Sequence, residues 1–364
     1  MPTLVEIERI DRTTYTSLDA EIRRRHAPFI VTDIVPTWKA HALWDLSHLQ
    51  RTIGHRTVRV GISQSRTFHY GDAALPKTRS KLMSFAVAAQ RIAAHADTGA
   101  GERLYVMEQN GREKNSLPDI FPELADDYRI PEGVDAARMI QINLWVGARG
   151  NITPLHFDMA NNFLAQIRGR KRLTLFDPGQ SDALYPHGSR ASIVNTSDVQ
   201  PQAPDFARHP KFKEATPCEC VLAPGEMLYL PPFWWHQVES LDAAISINFW
   251  WKARFEQCLH PMGIQSIYYH YDRGELGDVS GVDASAFADL AALAACCLER
   301  GHKCAAVLFA KAHVEQLQHG DGARIAHAIE PWRELLSRAE SGDESRLAHD
   351  EVARLLSRVS GRAG

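Results

Sequence analysis

No apolar run in this chain reaches the roughly 20 residues that would cross a bilayer, so no membrane-spanning helix is expected. The opening stretch, MPTLVEIERIDRTTY, lacks a basic segment followed by an apolar one, so no secretory leader is expected. Net charge is only −3 at pH 7, which supplies no basic field for nucleic acid or an anionic membrane. Cysteine is sparse, six in 364 residues, which argues against a disulfide framework. Internal repeats and low-complexity tracts are absent. These lacks together point to a soluble cytoplasmic protein.

The cysteines also lack any CxxC pair. Cys218 and Cys220 flank Glu219 too tightly for the usual zinc spacing. Cys296, Cys297 and Cys304, with His302, lie in LAALAACCLERGHKCAAVLF, where cysteine acts as a small hydrophobe on a helix. A metal or redox role for that group is left open.

What is present is an ordinary globular composition, 45% hydrophobic and 23% charged, long enough for one large domain with attachments or for two. Residues 1–103 read as mixed α/β elements packing on a core: PFIVTDIV and TVRVGI as strands, SFAVAAQRIAAHAD as a helix. Residues 104–255 change texture. LYVMEQ, MIQINLWVG, TPLHFDM, NFLAQIRG, KRLTLFDP, CECVLAP, EMLYLPP and AAISINFWW are eight short strand-like segments punctuated by Gly, Pro and Asn. That pattern predicts a mainly β core, a jelly roll or cupin-like double-stranded β-helix. Residues 256–364 read as helices rich in Ala, Leu, Arg and Glu, suited to an appended bundle or to a homodimer interface.

The chemistry concentrates in TPLHFDMANNFLAQIRGRKRLTLF, residues 153–176. On a strand, His156 and Asp158 point to one face and can meet at one ion. On a helix they would sit roughly 200° apart and could not chelate. His-x-Asp alone carries little, since it recurs at His95, His270 and His319, where surface or capping roles are expected. A third donor is available in His236, within PGEMLYLPPFWWHQVES, a histidine behind two indoles that needs a partner if buried. Two imidazoles and one carboxylate leave up to three positions open, as in non-haem Fe(II) oxygenases, whereas a structural zinc site would be closed. Lys171 follows RGR. By spacing alone it reads as part of a solvated basic hairpin tip; in a barrel interior it would require an anion.

These motifs together resemble the JmjC or cupin-like 2-oxoglutarate oxygenases, and within them most of all the asparaginyl hydroxylase that acts on hypoxia-inducible factor. The likeness is dense from about Leu104 to Trp251 and is not evident in the C-terminal helices. It implies Fe(II) held by His156, Asp158 and His236, with 2-oxoglutarate and O2 as cosubstrates. It implies Lys171 as the partner of the distal carboxylate, with Thr153 and Tyr105 hydrogen-bonding the same group. Asn162 and Asn248 match residues near cosubstrate and metal, and Trp250 matches a tryptophan lining the pocket. The chain departs at Met107 and Leu164, where the resembled hydroxylase has a glutamine and an aromatic, so its substrate does not transfer. Retention of Asp158 favours C–H hydroxylation, or demethylation through a hydroxylated N-methyl group, over halogenation. A protein or peptide side chain is the favoured substrate, ahead of a tRNA base or small metabolite. The rival readings are a metal-dependent cupin enzyme that does not use 2-oxoglutarate, and a non-catalytic JmjC-like binding module; the latter commonly loses a ligand, and here all three stand.

Overall fold

Short β-branched and aromatic runs between turn residues produce fourteen strands in the computed structural model, which describes residues 5–68, 78–98, 101–108, 117–186, 195–253 and 257. The first six are β1 (Val5–Glu6), β2 (Arg9–Ile10), β3 (Phe29–Val31), β4 (Thr57–Ser63), β5 (Arg79–Ser84) and β6 (Arg103–Glu108). Then follow β7 (Met139–Gly147), β8 (Ile152–His156), β9 (Asn161–Arg168), β10 (Lys171–Phe176), β11 (Cys218–Leu222), β12 (Met227–Leu230), β13 (Trp235–Ser240) and β14 (Ala244–Trp251).

The last eight make the jelly roll. They divide four and four between two sheets, β12-β9-β14-β7 in one and β11-β10-β13-β8 in the other. All pairs within these two sets are antiparallel. The first four-strand set continues outward into a nine-stranded sheet, with β3 and β2 beyond β12 on one side and β6, β4 and β5 beyond β7 on the other. The second gains only β1, parallel to β11.

The larger sheet is buried on both faces. Phe163, Ala165 and Ile167 of β9 and Ile245, Ile247 and Phe249 of β14 join the core shared with the N-terminal helices. Leu164, Leu228 and Leu230 point the other way, toward Leu173, Leu175 and Val238 of the smaller sheet. Each such fully buried side chain contributes roughly 1.5–3 kcal/mol, so two-sided burial makes this sheet the rigid wall of the fold. The helices on its outer face follow from sequence. Asp45 caps Leu46–Ile53 by accepting from the His48 backbone N–H at 2.6 Å, and Leu49 and Ile53 bury one stripe. In Phe85–Thr98, the spacing of Phe85, Ala88, Ala89 and Ile92 buries the matching face.

Several expectations are corrected. LYVMEQ forms β6, but it lies outside the eight-stranded roll; the missing eighth strand is β13, WHQVES, which had no strand reading because Pro231-Pro232 and two tryptophans mask its alternation. PFIVTDIV is strand only to Val31, since Pro36 turns Val35–Thr37 into a 3-10 turn. His95 is buried in the last turn of its helix rather than at the surface. The chain divides after Ala253 into two units. His270, His319, the cysteines at 296, 297 and 304, and the expected C-terminal helices with their homodimer interface lie outside the described residues. Among the described residues, no helix is long and apolar enough to cross a membrane.

The β9–β10 hairpin depends on Gly169, at φ 66°, where an added Cβ would sit 2.3 Å from the Ala243 carbonyl oxygen. Gly169→Ala is expected to destabilise the fold by about 1–3 kcal/mol, read as a lower denaturant midpoint with an unchanged slope.

Candidate metal centre and cosubstrate pocket

The cross-strand register sets His236 of β13 directly opposite His156 of β8, with ring centroids 4.2 Å apart. Asp158 lies two residues beyond the end of β8, so the expectation that it shares a strand with His156 is corrected. The loop is nevertheless held in place. Phe157, between the two, donates its N–H to the Asn195 carbonyl at 3.0 Å and accepts from the Asn195 side-chain amide at 2.7 Å. The Asp158 carbonyl accepts the Phe233 N–H at 2.7 Å. Phe233 takes φ 66°, uncommon for an aromatic residue, and this turn leads directly into the His236 strand. One backbone bond therefore joins the two ligand-bearing segments.

Each imidazole is oriented by a backbone carbonyl: His156 Nδ1 lies 2.8 Å from the Pro154 oxygen and His236 Nδ1 2.9 Å from the Trp234 oxygen. A carbonyl only accepts, so both Nδ1 atoms carry the proton and both Nε2 lone pairs turn inward. There they meet Asp158, at 4.0 Å from His156 and 3.7 Å from His236. These gaps are too long for hydrogen bonds. They fall within roughly 4.2 Å, twice the usual 2.1 Å metal–nitrogen distance. Three inward donor atoms, all within 4.8 Å of one another, fit a divalent cation.

Burial prepares the same conclusion electrostatically. It lowers the His236 pKa to about 3, assisted by the neighbouring His156, and so keeps the ring in the neutral form a metal needs. It raises the Asp158 carboxyl, against the smaller opposing influences of His156 and the Trp250 indole. The Trp250 N–H favours the charged carboxylate yet makes no hydrogen bond of ordinary geometry. A cation at the focus of these groups would restore the carboxylate.

Beside the three donors, a cavity of about 270 Å³ opens between the sheets. Lys171, expected from spacing alone at a solvated hairpin tip, is 2% exposed on its wall, while its neighbour Arg170 is outside and paired with Asp242. No carboxylate partners Lys171 among the described residues. Its Nζ lies 5.9 Å from the Tyr105 ring, and burial lowers its pKa to about 7. Tyr105 is itself raised by burial and hydrogen-bonded to Thr153. Gly147 makes room for that ring, since a Cβ there would lie 2.8 Å from it. Thr153, Asn162, Asn248 and Trp250 all face the cavity, as does Leu164. Met107 does not line it; it packs beneath Tyr105 and Phe68.

Sequence reasoning missed four contributors. Asn195 and Thr196 come from the long connection between β10 and β11, and Thr196 bridges to His156. No local pattern marks them. Asn143 and Trp145 alternate with apolar residues along β7, and a polar residue at period two in QINLW was a legible signal.

Fold and donor set together define a jelly-roll protein with an interior metal centre beside a cationic pocket. Residues 16–257 match the cupin-like domain family, and the chain belongs to it. It is 32% identical over 229 residues to lysine-specific demethylase 8 of Xenopus tropicalis, covering 62% of this chain and 48% of that protein. It is 31% identical over 255 residues to lysine-specific demethylase JMJ30 of Arabidopsis thaliana, covering 68% and 56%. It is 26% identical over 258 residues to the human bifunctional peptidase and (3S)-lysyl hydroxylase JMJD7, covering 63% and 78%. The chain spans about half the length of the two demethylases. JmjC members of this family are 2-oxoglutarate-dependent oxygenases that use Fe(II), 2-oxoglutarate and O2, and the His-Asp-His cluster here fits the metal.

Losing even an outer-shell partner commonly costs 10–100-fold in metal affinity, so Asp158→Ala and His236→Ala should each weaken Mn(II) binding by at least about 100-fold. Asn195→Ala should fall in that lower outer-shell range. Calorimetric titration of the metal-free protein measures all three, and parent-like affinity in either ligand variant contradicts the assignment.

Proposed function

We propose that this chain is an Fe(II)- and 2-oxoglutarate-dependent hydroxylase acting on a C–H bond of a protein or peptide side chain. The observation that carries the reading is Lys171, a buried ammonium that meets no carboxylate among the described residues, in the same cavity as three convergent metal donors. A cupin using its metal without 2-oxoglutarate has no need of such a group. A binding module has no need of the preserved donors.

Bound Fe(II) would supply O2 activation, coupled to oxidative decarboxylation of 2-oxoglutarate to succinate and CO2 and to hydrogen removal from the substrate carbon. The chain's own residues do the rest. His156, Asp158 and His236 would hold the metal through three donors, a set that does not by itself fill its coordination shell. Lys171 holds the far carboxylate, and the Tyr105 and Thr153 hydroxyls donate to it. Leu164, Leu230, Val238 and the Trp145 ring keep water from the reacting centre.

A second reading, N-methyl demethylation, is favoured by the names of the two plant and frog relatives. It begins with the same C–H hydroxylation and differs in the substrate, whose hydroxymethyl group leaves as formaldehyde. The finer likeness to the asparaginyl hydroxylase is not extended to the target residue, because Leu164 replaces an aromatic on the cavity wall.

With Fe(II), 2-oxoglutarate, O2 and a peptide library, the parent should form succinate and a product heavier by one oxygen, while His156→Ala forms neither. Formaldehyde from methylated peptides would select the second reading, and succinate-free metal chemistry would refute both. Lys171 adds a pH signature. Its pKa is about 7 without ligand, and a bound dianion raises it, so binding takes up a proton above pH 7. Affinity for 2-oxoglutarate should therefore fall with rising pH, by up to about tenfold per unit above pH 7. Calorimetry in buffers of different ionisation enthalpy should show proton uptake at pH 8, lost in Lys171→Met.

A further inference from the structure

In the pocket wall and just behind it, three buried asparagines on neighbouring strands form a chain of hydrogen bonds. Asn143 and Asn248 face each other across β7 and β14, and Asn162 lies on β9, on the far side of β14. All three are at most 5% exposed. Asn143 Nδ2 donates to Asn248 Oδ1 at 3.0 Å, and Asn248 Nδ2 donates to Asn162 Oδ1 at 3.1 Å. Asn162 lines the cavity, and with its oxygen engaged the group it has left to offer is the Nδ2 donor.

A chain of amides can run in either direction. Flipping all three would keep both inter-amide bonds, and Asn143 Oδ1, now buried without a partner, would gain one. The direction is fixed by one neighbour. Trp145 Nε1 also meets Asn248 Oδ1, at 2.7 Å, and an indole nitrogen can only donate. Reversal would set that N–H against an amide NH2 and leave it buried without an acceptor.

We propose that Trp145 is a positioning residue that polarises the Asn143–Asn248–Asn162 relay, so that Asn162 presents a hydrogen-bond donor to an acceptor oxygen of the cosubstrate. The inference rests on the reading of this cavity as the 2-oxoglutarate site. It specifies what Asn162 must meet, a carboxylate or keto oxygen, and excludes a ligand N–H or O–H at that position. It also assigns Asn143, which does not line the cavity, to the same device.

Trp145→Phe removes the N–H and keeps a ring against Tyr105, whose centroid lies 5.5 Å away. Binding of 2-oxoglutarate to the Mn(II)-loaded protein, without oxygen, is the readout. Affinity should drop by about 2-fold if the two directions become equally populated, and by up to about 10-fold if the whole bond is lost. Mn(II) affinity should not change. The decisive comparison is a double-mutant cycle. In an Asn162→Ala background, Trp145→Phe should cost nothing further, because the group it orients is gone. Additive losses, or parent-like binding by Trp145→Phe, overturn the proposal. Failure of the parent itself to bind 2-oxoglutarate overturns instead the functional reading beneath it. Should Trp145→Phe not fold, a crystal structure of the parent with Mn(II) and 2-oxoglutarate decides: Asn162 within hydrogen-bond distance of a ligand oxygen supports the relay, and Asn162 turned away from it refutes it.

Discussion

Everything at the centre of this molecule depends on two backbone carbonyls, those of Pro154 and Trp234, each taking the Nδ1 proton of a histidine two residues on. Each bond is worth only about 0.5–1.5 kcal/mol in net stability. Its importance is directional. It commits the opposite ring nitrogen to act as a lone-pair donor and aims that donor at the interior. Because β8 and β13 place the two histidines in register, the two commitments converge. Asp158 completes the set from a loop fastened to both neighbours, by Asn195 on one side and Phe233 on the other.

The same constraint explains why the fold tolerates so much buried polarity. The larger sheet carries apolar side chains on its outer face and, along β7, β9 and β14, asparagines and tryptophans on its inner one. Several of these polar groups satisfy one another, as in the amide relay and in the Trp145 N–H that donates to Asn248. Among the described residues, the Lys171 ammonium meets no carboxylate, and the Trp250 N–H makes no hydrogen bond of ordinary geometry. Buried groups left in this state cost stability, and Lys171 and Trp250 both line the one cavity. In a site built for a metal and a dianionic cosubstrate, that cost is recovered when the ligands enter.

Much of this was legible in the sequence, for identifiable reasons. Seven of the eight roll strands announced themselves by short apolar runs between Gly and Pro, and His156, Asp158 and His236 stood out as polar residues in such runs. The eighth strand stayed hidden because its own alternation is obscured by PPFWW, where Phe233 adopts a left-handed backbone that no simple pattern signals. His156 and Asp158 come together although they do not share a strand, since tertiary bonds to residues 195 and 233 set the loop. Lys171 was the hardest to read. RGRKR is a basic tip in sequence, and only the hairpin register, with Lys171 opposite Leu222 and Ser240, turns one of its cations inward. Asn195 could not be found locally at all, because it returns to the site across a long connection.

Before any metal binds, the protein alone holds two bare imidazole nitrogens toward Asp158. Nitrogen-15 NMR of the metal-free protein at pH 8, with labelled histidine, tests it directly. The account predicts that His156 and His236 both show a protonated Nδ1 and an unprotonated Nε2. A protonated Nε2 on either ring would contradict it.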